Sequence, residues 1–311
     1  MSQVIHDVVM IGAGPSALAA AVYATRENLE TVIYEKSVIG GLAAITDQVD
    51  NYPGFPEGIA GLTLAEQLQK QAERFGAKIE FGEISHIERQ GERIRLVVDG
   101  EDVYAKAVLV ATGSDYNKLG IPGEAEYYAR GVHYCATCDG AFYKDKRLVV
   151  VGGGNSGVQE AIFLTRFASK IDLLVRSTLK ASDVLQKELQ KYVDAGKIIV
   201  HLHTIPTEIV TREDKVAGVA AIANNERVVF DCDGVFVFVG LKPNTGFLGG
   251  TSVELDERGL IKTDEHLETA LEGVFASGDV RSGATMQIAT AVGEGATAAL
   301  NIREYLQRQA A

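Results

Sequence analysis

Arg147-Leu148-Val149-Val150-Val151-Gly152-Gly153-Gly154-Asn155-Ser156-Gly157 is the stretch whose reading decides the fold. A short apolar run of this kind reads as a buried parallel strand. It ends in a full GxGxxG, followed by a helix pattern over residues 158–167 and a second strand over 171–175. Strand, glycine turn, helix and strand in that order form a dinucleotide-binding fingerprint. Gly152, Gly154, Asn155, Ser156 and Gly157 are therefore candidate nucleotide contacts. The acid expected after the second strand is missing, and the chain there reads Leu174-Val175-Arg176-Ser177-Thr178-Leu179-Lys180. Arg176 and Lys180 stand where a 2′-phosphate would be bound, which leans toward the phosphorylated nucleotide. A solvated helix start accounts for the same two cations nearly as well.

Just upstream lies Cys135-Ala136-Thr137-Cys138-Asp139-Gly140. Two thiols at this spacing close a small disulfide ring and open it by accepting two electrons, with the Asp139 carboxyl directly beside the second sulfur. The spacing suits the first turn of a helix, where unpaired N–H groups stabilise a thiolate. The other reading of a CxxC pair is zinc, which needs two more ligands. Only Cys232, His133, His201, His203 and other scattered candidates exist, with no second CxxC and no HxxxH. Cys232 reads as an inert strand residue, and His133, beside the pair, as a packed or exposed bystander more readily than as a group that tunes the thiolates.

Far upstream, Val8-Val9-Met10-Ile11 runs into Gly12-Ala13-Gly14-Pro15-Ser16-Ala17, an alanine-rich helix over 18–26 and a strand over 31–34 ending in Glu35. This is a second fingerprint. Gly12 allows the tight turn, Gly14 a close backbone approach to a pyrophosphate, and Ala17 close helix packing. Glu35 lies where an acid bonds ribose hydroxyls. A bare GxGxxA also suits a mere helix-packing turn, but two such units in one chain are far more specific than one. Residues 64–75 read as an amphipathic helix, 78–98 as an antiparallel meander and 107–113 as a buried strand entering a small-residue turn. Residues 115–123 read as a crossing segment. Residues 185–192 read as a helix, strands within 198–230 as a second meander, and 233–239 as a closing strand. The tail returns with Gly273-Val274-Phe275-Ala276-Ser277-Gly278-Asp279 and a long helix over 287–306. Asp279 suits the sugar-alcohol part of a flavin, or equally a helix N-cap.

Composition narrows the class. The 311 residues are 46% hydrophobic and 23% charged, with a mean hydropathy of +0.06, enough for two domains with real cores. A net charge of −12 repels phosphate backbones and anionic surfaces, so no nucleic-acid partner is expected. No apolar run approaches a membrane span, and Met1-Ser2-Gln3-Val4-Ile5-His6-Asp7 leads straight into a strand without a basic segment or cleavage site. A cytoplasmic location is expected. In a reducing compartment a close CxxC is catalytic or metal-binding more readily than structural.

Over essentially its whole length the chain resembles the small, bacterial-type thioredoxin reductases. The resemblance rests on Gly12 to Ala17 with Glu35, Asp50-Asn51-Tyr52-Pro53-Gly54, Ala111-Thr112-Gly113, Cys135 to Gly140, Gly152 to Gly157, and Gly278-Asp279-Val280 with Gln287. It implies an α/β fold of two Rossmann-like, three-layer ββα domains. A discontinuous FAD domain (residues 1–117 and 246–311) would be interrupted by a nicotinamide domain (118–245) that carries the CxxC. It implies a homodimer, FAD, NADPH as donor and thioredoxin or a thioredoxin-like protein as acceptor. Gly12, Gly14, Ala17, Glu35, Asn51, Asp279 and Gln287 would contact FAD. Cys138 would face the flavin, Cys135 would attack the protein substrate, and Asp139 would serve as acid and base. Hinges near 113–118 and 243–247 would let the inserted domain rotate. The chain also departs from the pattern. Leu174, Val175, Arg176 and Lys180 occupy the family's histidine, two arginines and further arginine, so half the cationic clamp is gone and NADH becomes possible. Leu42 stands for the usual glutamine, and Met286 for an arginine before Gln287. A ferredoxin donor, or a thiol oxidase using oxygen, is the alternative on the same scaffold.

Overall fold

The computed structural model describes residues 4–46, 49 and 51–309. Met1, Ser2, Gln3 and Asp50, which entered the readings of the N-terminus and of the loop before Gly54, lie outside the described residues. The chain divides into two compact units, Met1–Asp115 with Lys242–Ala311, and Tyr116–Leu241. In chain order the first unit has β1 (Ile5–Ile11), α1 (Pro15–Arg26), β2 (Thr31–Glu35), α2 (Gly41–Ala44), α3 (Gly61–Arg74), β3 (Lys78–Phe81), β4 (Ile84–Gln90), β5 (Arg93–Val98), β6 (Glu101–Val110) and, at its border, β7 (Ser114–Tyr116). The second has β8 (Val132–His133), α4 (Ala136–Asp139), a 3-10 turn (Gly140–Tyr143), β9 (Arg147–Val151), α5 (Asn155–Leu164), β10 (Lys170–Leu174), α6 (Asp183–Asp194), β11 (Ile198–His201), β12 (Thr204–Arg212), β13 (Lys215–Ala223), β14 (Glu226–Asp231) and β15 (Gly234–Val237). After β16 (Leu241–Pro243) the first unit resumes with a 3-10 turn (Gly246–Leu248), β17 (Val274–Ala276) and α7 (Ile288–Gln309).

In the first unit, β3, β2, β1, β6 and β17 pair in parallel. Val8, Val9 and Met10 of β1 are fully buried, as expected of a strand covered on both faces. One core joins this sheet to the helices, with Met10, Leu18, Ile33, Leu109, Phe275, Ala298 and Ile302. A second core lies on the other face, under the β4–β5 hairpin and the segment that carries Leu248 and Ile261. Helix, sheet and hairpin thus form three layers. Strand β6 serves two roles: its first half runs antiparallel to β5 and its second half parallel to β17.

The second unit repeats the plan. Its parallel sheet runs β11-β10-β9-β15-β8, and β12-β13-β14 form a separate antiparallel sheet. Leu148, Val150, Val158, Leu164 and Phe236 pack the helical face. Val149, Val151, Val219 and Val235 pack against the second sheet. The parallel edges correct part of the sequence reading. Residues 78–81 and 198–201 do not belong to the meanders; β3 pairs in parallel with β2 and β11 with β10. Four residues are too few for periodicity to separate a parallel edge strand from a meander strand. The links β7 and β16 pair with each other as a two-stranded ribbon, and the units divide within it, slightly before residues 117 and 245.

Candidate redox and dinucleotide site

At the first glycine turn, Gly12 has φ of +92°, and a Cβ there would lie 2.8 Å from the Ala111 carbonyl oxygen. Only glycine fits that left-handed, crowded position. Gly14 has an extended backbone and leads into Pro15 at the first position of α1, where proline costs no hydrogen bond. Ala17 is fully buried. Glu35 is placed at the end of β2 as expected, and it is already partnered within the chain: it accepts from the Ala13 N–H at 2.7 Å and from the Ser37 N–H at 2.8 Å. These bonds tie β2 to the turn, a structural use that spacing alone did not reveal.

The tail segment folds onto the start of α1. Ser277 Oγ lies 2.6 Å from Ser16 Oγ, and the Gly278 N–H donates to Glu294 at 2.8 Å, which also pairs with Arg281. Beside them, the Asp279 carboxyl Oδ1 is buried without a partner. Burial, and secondly the nearby Glu294, push its pKa up to about 6. It is not a helix N-cap, because α7 begins at Ile288. Asn51 and Gln287, far apart in sequence, are brought together, Asn51 Nδ2 donating to Gln287 Oε1 at 3.1 Å. An orphaned buried carboxyl and a turn cradle that a Cβ would fill both suit a dinucleotide carrying sugar hydroxyls.

At the second glycine turn, a Cβ on Gly152 would meet the Phe238 carbonyl oxygen at 2.3 Å, and one on Gly157 the Gly152 oxygen at 2.3 Å. A Cβ on Gly154 would meet nothing within 4 Å. Asn155 Oδ1 accepts from the Ser182 N–H at 2.8 Å, and the Lys180 N–H donates to the Gly153 oxygen at 2.7 Å. These bonds lay the loop after β10 over the turn. Ser156 is exposed at the start of α5, and Arg176 and Lys180 are exposed on the loop. Neither cation forms an ion pair among the described residues. Leu174 and Val175 are buried in the core, so their side chains are not available to a phosphate.

Cys135 and Cys138 of the same unit are joined in a disulfide. Cys135 caps α4, and the Cys138 N–H donates to Cys135 Sγ at 3.2 Å, a bond that strengthens as the sulfur gains negative charge. Both cysteines are partly exposed. Asp139 Oδ2 lies 3.1 Å from His133 Nδ1, a short contact that is not aligned as a hydrogen bond. His133 Nε2 lies 2.7 Å from Tyr143 Oη. Burial first, then Asp139, raise the Tyr143 phenol well above its ordinary pKa. His133 is therefore no bystander; the sequence signal for it was only its place two residues before Cys135. Cys232 lies between β14 and β15 and not within a strand, and burial pushes its thiol up to about 12.

Two glycine-turn α/β units, one of them holding a closed CxxC ring beside an acid, define a nucleotide-linked disulfide oxidoreductase. Residues 6–295 match the family model described as pyridine nucleotide-disulphide oxidoreductase. The chain is 41% identical to the thioredoxin reductase of Bacillus subtilis over 307 residues, 97% of this chain and 95% of that one. Among solved structures, the thioredoxin reductase of Streptococcus pyogenes is 38% identical with a TM-score of 0.92, covering 99% of this chain and 100% of that one. A Lactococcus lactis thioredoxin reductase in an FR conformation is 37% identical with a TM-score of 0.66, covering 97% and 99%. The chain belongs to the pyridine nucleotide-disulphide oxidoreductases and, among them, to the thioredoxin reductase family of enzymes. No helix among the described residues is long and apolar enough to cross a membrane.

Proposed function

We propose that this chain, as a cytoplasmic homodimer, reduces the disulfide of thioredoxin or a thioredoxin-like protein with electrons from a nicotinamide nucleotide. The observation that carries this reading is the closed Cys135–Cys138 ring with Asp139 beside it. In this reading the first unit holds FAD through Gly12, Gly14, Ala17, Glu35, Asn51, Asp279 and Gln287. When bound, FAD supplies the two-electron chemistry that links a nicotinamide hydride to a disulfide. The second unit holds the nucleotide through Gly152, Gly154, Asn155, Ser156, Gly157, Arg176 and Lys180.

Opening the Cys135–Cys138 bond takes two electrons and leaves two sulfurs. Asp139 moves a proton to or from the sulfur beside it. The Cys135 thiolate then attacks the partner disulfide, forming a mixed disulfide and releasing one partner sulfur. Cys138 attacks Cys135 Sγ, closes the ring and releases the other. One hydride and one proton are consumed, and the partner leaves as a dithiol. Nicotinamide and disulfide both need the same flavin, so the second unit must present them in turn by rotating on the links 113–118 and 243–247. In support, Gly113 has φ of +65° with open space about it, and two relatives of nearly equal identity align at TM-scores of 0.92 and 0.66. The donor is NADPH, with NADH accepted: two cations with no ion pair among the described residues remain for a 2′-phosphate, and Lys180 lacks the bidentate fork of arginine.

Cys135→Ser tests the assignment. It is expected to abolish reduction of thioredoxin while nicotinamide still bleaches the flavin. Retained turnover in that variant would overturn the reading.

A further inference from the structure

Two side chains of the second unit, His133 and Tyr143, extend from Asp139 in a line that the redox cycle above does not use. His133 is 5% exposed and sits on β8 with its two ring nitrogens facing different partners. Nδ1 lies 3.1 Å from Asp139 of α4, and Nε2 lies 2.7 Å from Tyr143 Oη of the 3-10 turn. The ring is held in place by packing: Phe236 of β15 stacks on it at 5.1 Å, and Tyr143 meets it edge-on at 5.3 Å. Tyr143 itself fits only because residue 234 is glycine, where a Cβ would lie 2.3 Å from the tyrosine ring. The other titratable groups around the line are Tyr128, which faces Asp139, and Cys232 and Asp233, which face Tyr143.

Burial keeps the Tyr143 phenol protonated, and among the described residues it hydrogen-bonds His133 Nε2; with the phenol as donor, Nε2 accepts. A neutral imidazole accepting at Nε2 carries its proton on Nδ1, toward the Asp139 carboxylate. The Asp139 carboxyl is partly exposed on one side, and on the other a line runs from it through His133 to Tyr143, which is itself partly exposed.

We propose that His133 is a positioning residue for Asp139, holding its carboxyl and replenishing the proton that Asp139 exchanges with the redox sulfurs, with Tyr143 fixing the tautomer. Once a small rotation of the ring aligns the 3.1 Å Nδ1–Asp139 contact, each proton leaving Asp139 is matched by one passing from Nδ1, and Nε2 regains one through Tyr143; no electrons move in this line. The inference rests on the electron path proposed above.

The test uses the flavin-loaded full chain in anaerobic stopped flow, with the two half-reactions followed separately and the thiols of the reduced enzyme counted by alkylation. His133→Ala is expected to slow reduction of a disulfide substrate by about tenfold or more while nicotinamide-driven flavin bleaching keeps its rate. Added imidazole is expected to restore the slow step in the variant and to leave the wild type unchanged. A structural lesion would not respond to a free base. Tyr143→Phe, which keeps the ring against Gly234, is expected to slow the same step about threefold and to raise its solvent deuterium isotope effect. An unchanged rate, or a slowed rate indifferent to imidazole together with an unchanged isotope effect in Tyr143→Phe, overturns the inference. A wild type that forms no dithiol at Cys135 and Cys138 overturns the electron path, and the inference falls with it.

Discussion

Asp279 carries an ionisation consequence that can be measured without any substrate. Burial raises its folded pKa from 3.8 to about 6, so the folded chain holds this proton more tightly than the unfolded chain does. The stability it contributes is complete below about pH 4 and is lost as pH rises through about 6. In the flavin-free protein, Asp279→Asn removes that loss. The variant is expected to gain on the wild type by up to about 3 kcal/mol between pH 4 and pH 8 in urea unfolding. A pH-independent difference would show that Asp279 is solvated. Residues of this kind were partly legible in the sequence. The Cys135–Cys138 pair was legible from its spacing, whereas the readings of Asp139 and Asp279 rest on their places beside the second sulfur and after a strand and glycine turn. Glu35 was placed by the same logic, yet its bonds to the Ala13 and Ser37 N–H groups were hidden, because they depend on the loop after β2 curling back. The geometry of the His133–Asp139–Tyr143 line was hidden too, since it depends on how α4 and the 3-10 turn fold back against β8.

The second glycine turn makes opposite predictions for two of its positions. Gly157 packs α5 against the end of β9, with no room for a Cβ beside the Gly152 oxygen. Gly157→Ala must move the helix, and a loss of about 1–3 kcal/mol in thermal or chemical unfolding is expected. Gly154 has an ordinary φ of −88° and open space around it. Gly154→Ala is expected to leave stability within about 0.5 kcal/mol while raising KM for the nicotinamide nucleotide, because only a ligand would press there. Equal destabilisation of both variants would contradict the role given to Gly154. At this scale the sequence was clear wherever a strand ended in a glycine turn and a helix followed. It was ambiguous for four-residue strands. Lys78–Phe81 alternates as a hairpin strand would and Ile198–His201 is a short apolar run, and in both cases the parallel partners β2 and β10 decide where they go. The one-turn helix Gly41–Ala44 is too short to leave a periodic trace.

Across the molecule, a net charge of −12 opposes the approach of an anionic nucleotide, so the proposed role of Arg176 and Lys180 at a 2′-phosphate predicts a large effect for two exposed cations. Replacing both by alanine is expected to raise KM for NADPH by about tenfold or more and to leave KM for NADH nearly unchanged. A parallel rise for both nucleotides would remove these residues from 2′-phosphate recognition. The division into two units was readable from the paired fingerprints and the return of a strand and long helix at the end. The exact junction was not, because the links pair as β7 and β16 and a short ribbon carries no boundary signal of its own. The central claim is that the Cys135–Cys138 pair exchanges electrons with a flavin held by the first unit. Anaerobic titration of the flavin-loaded protein with NADPH, followed by alkylation and mass analysis, tests it most directly. The account predicts bleaching of the flavin band and labelling of both Cys135 and Cys138, with Cys232 unlabelled. A colourless protein that takes up no flavin, or a bleached flavin with both sulfurs still joined, would contradict it.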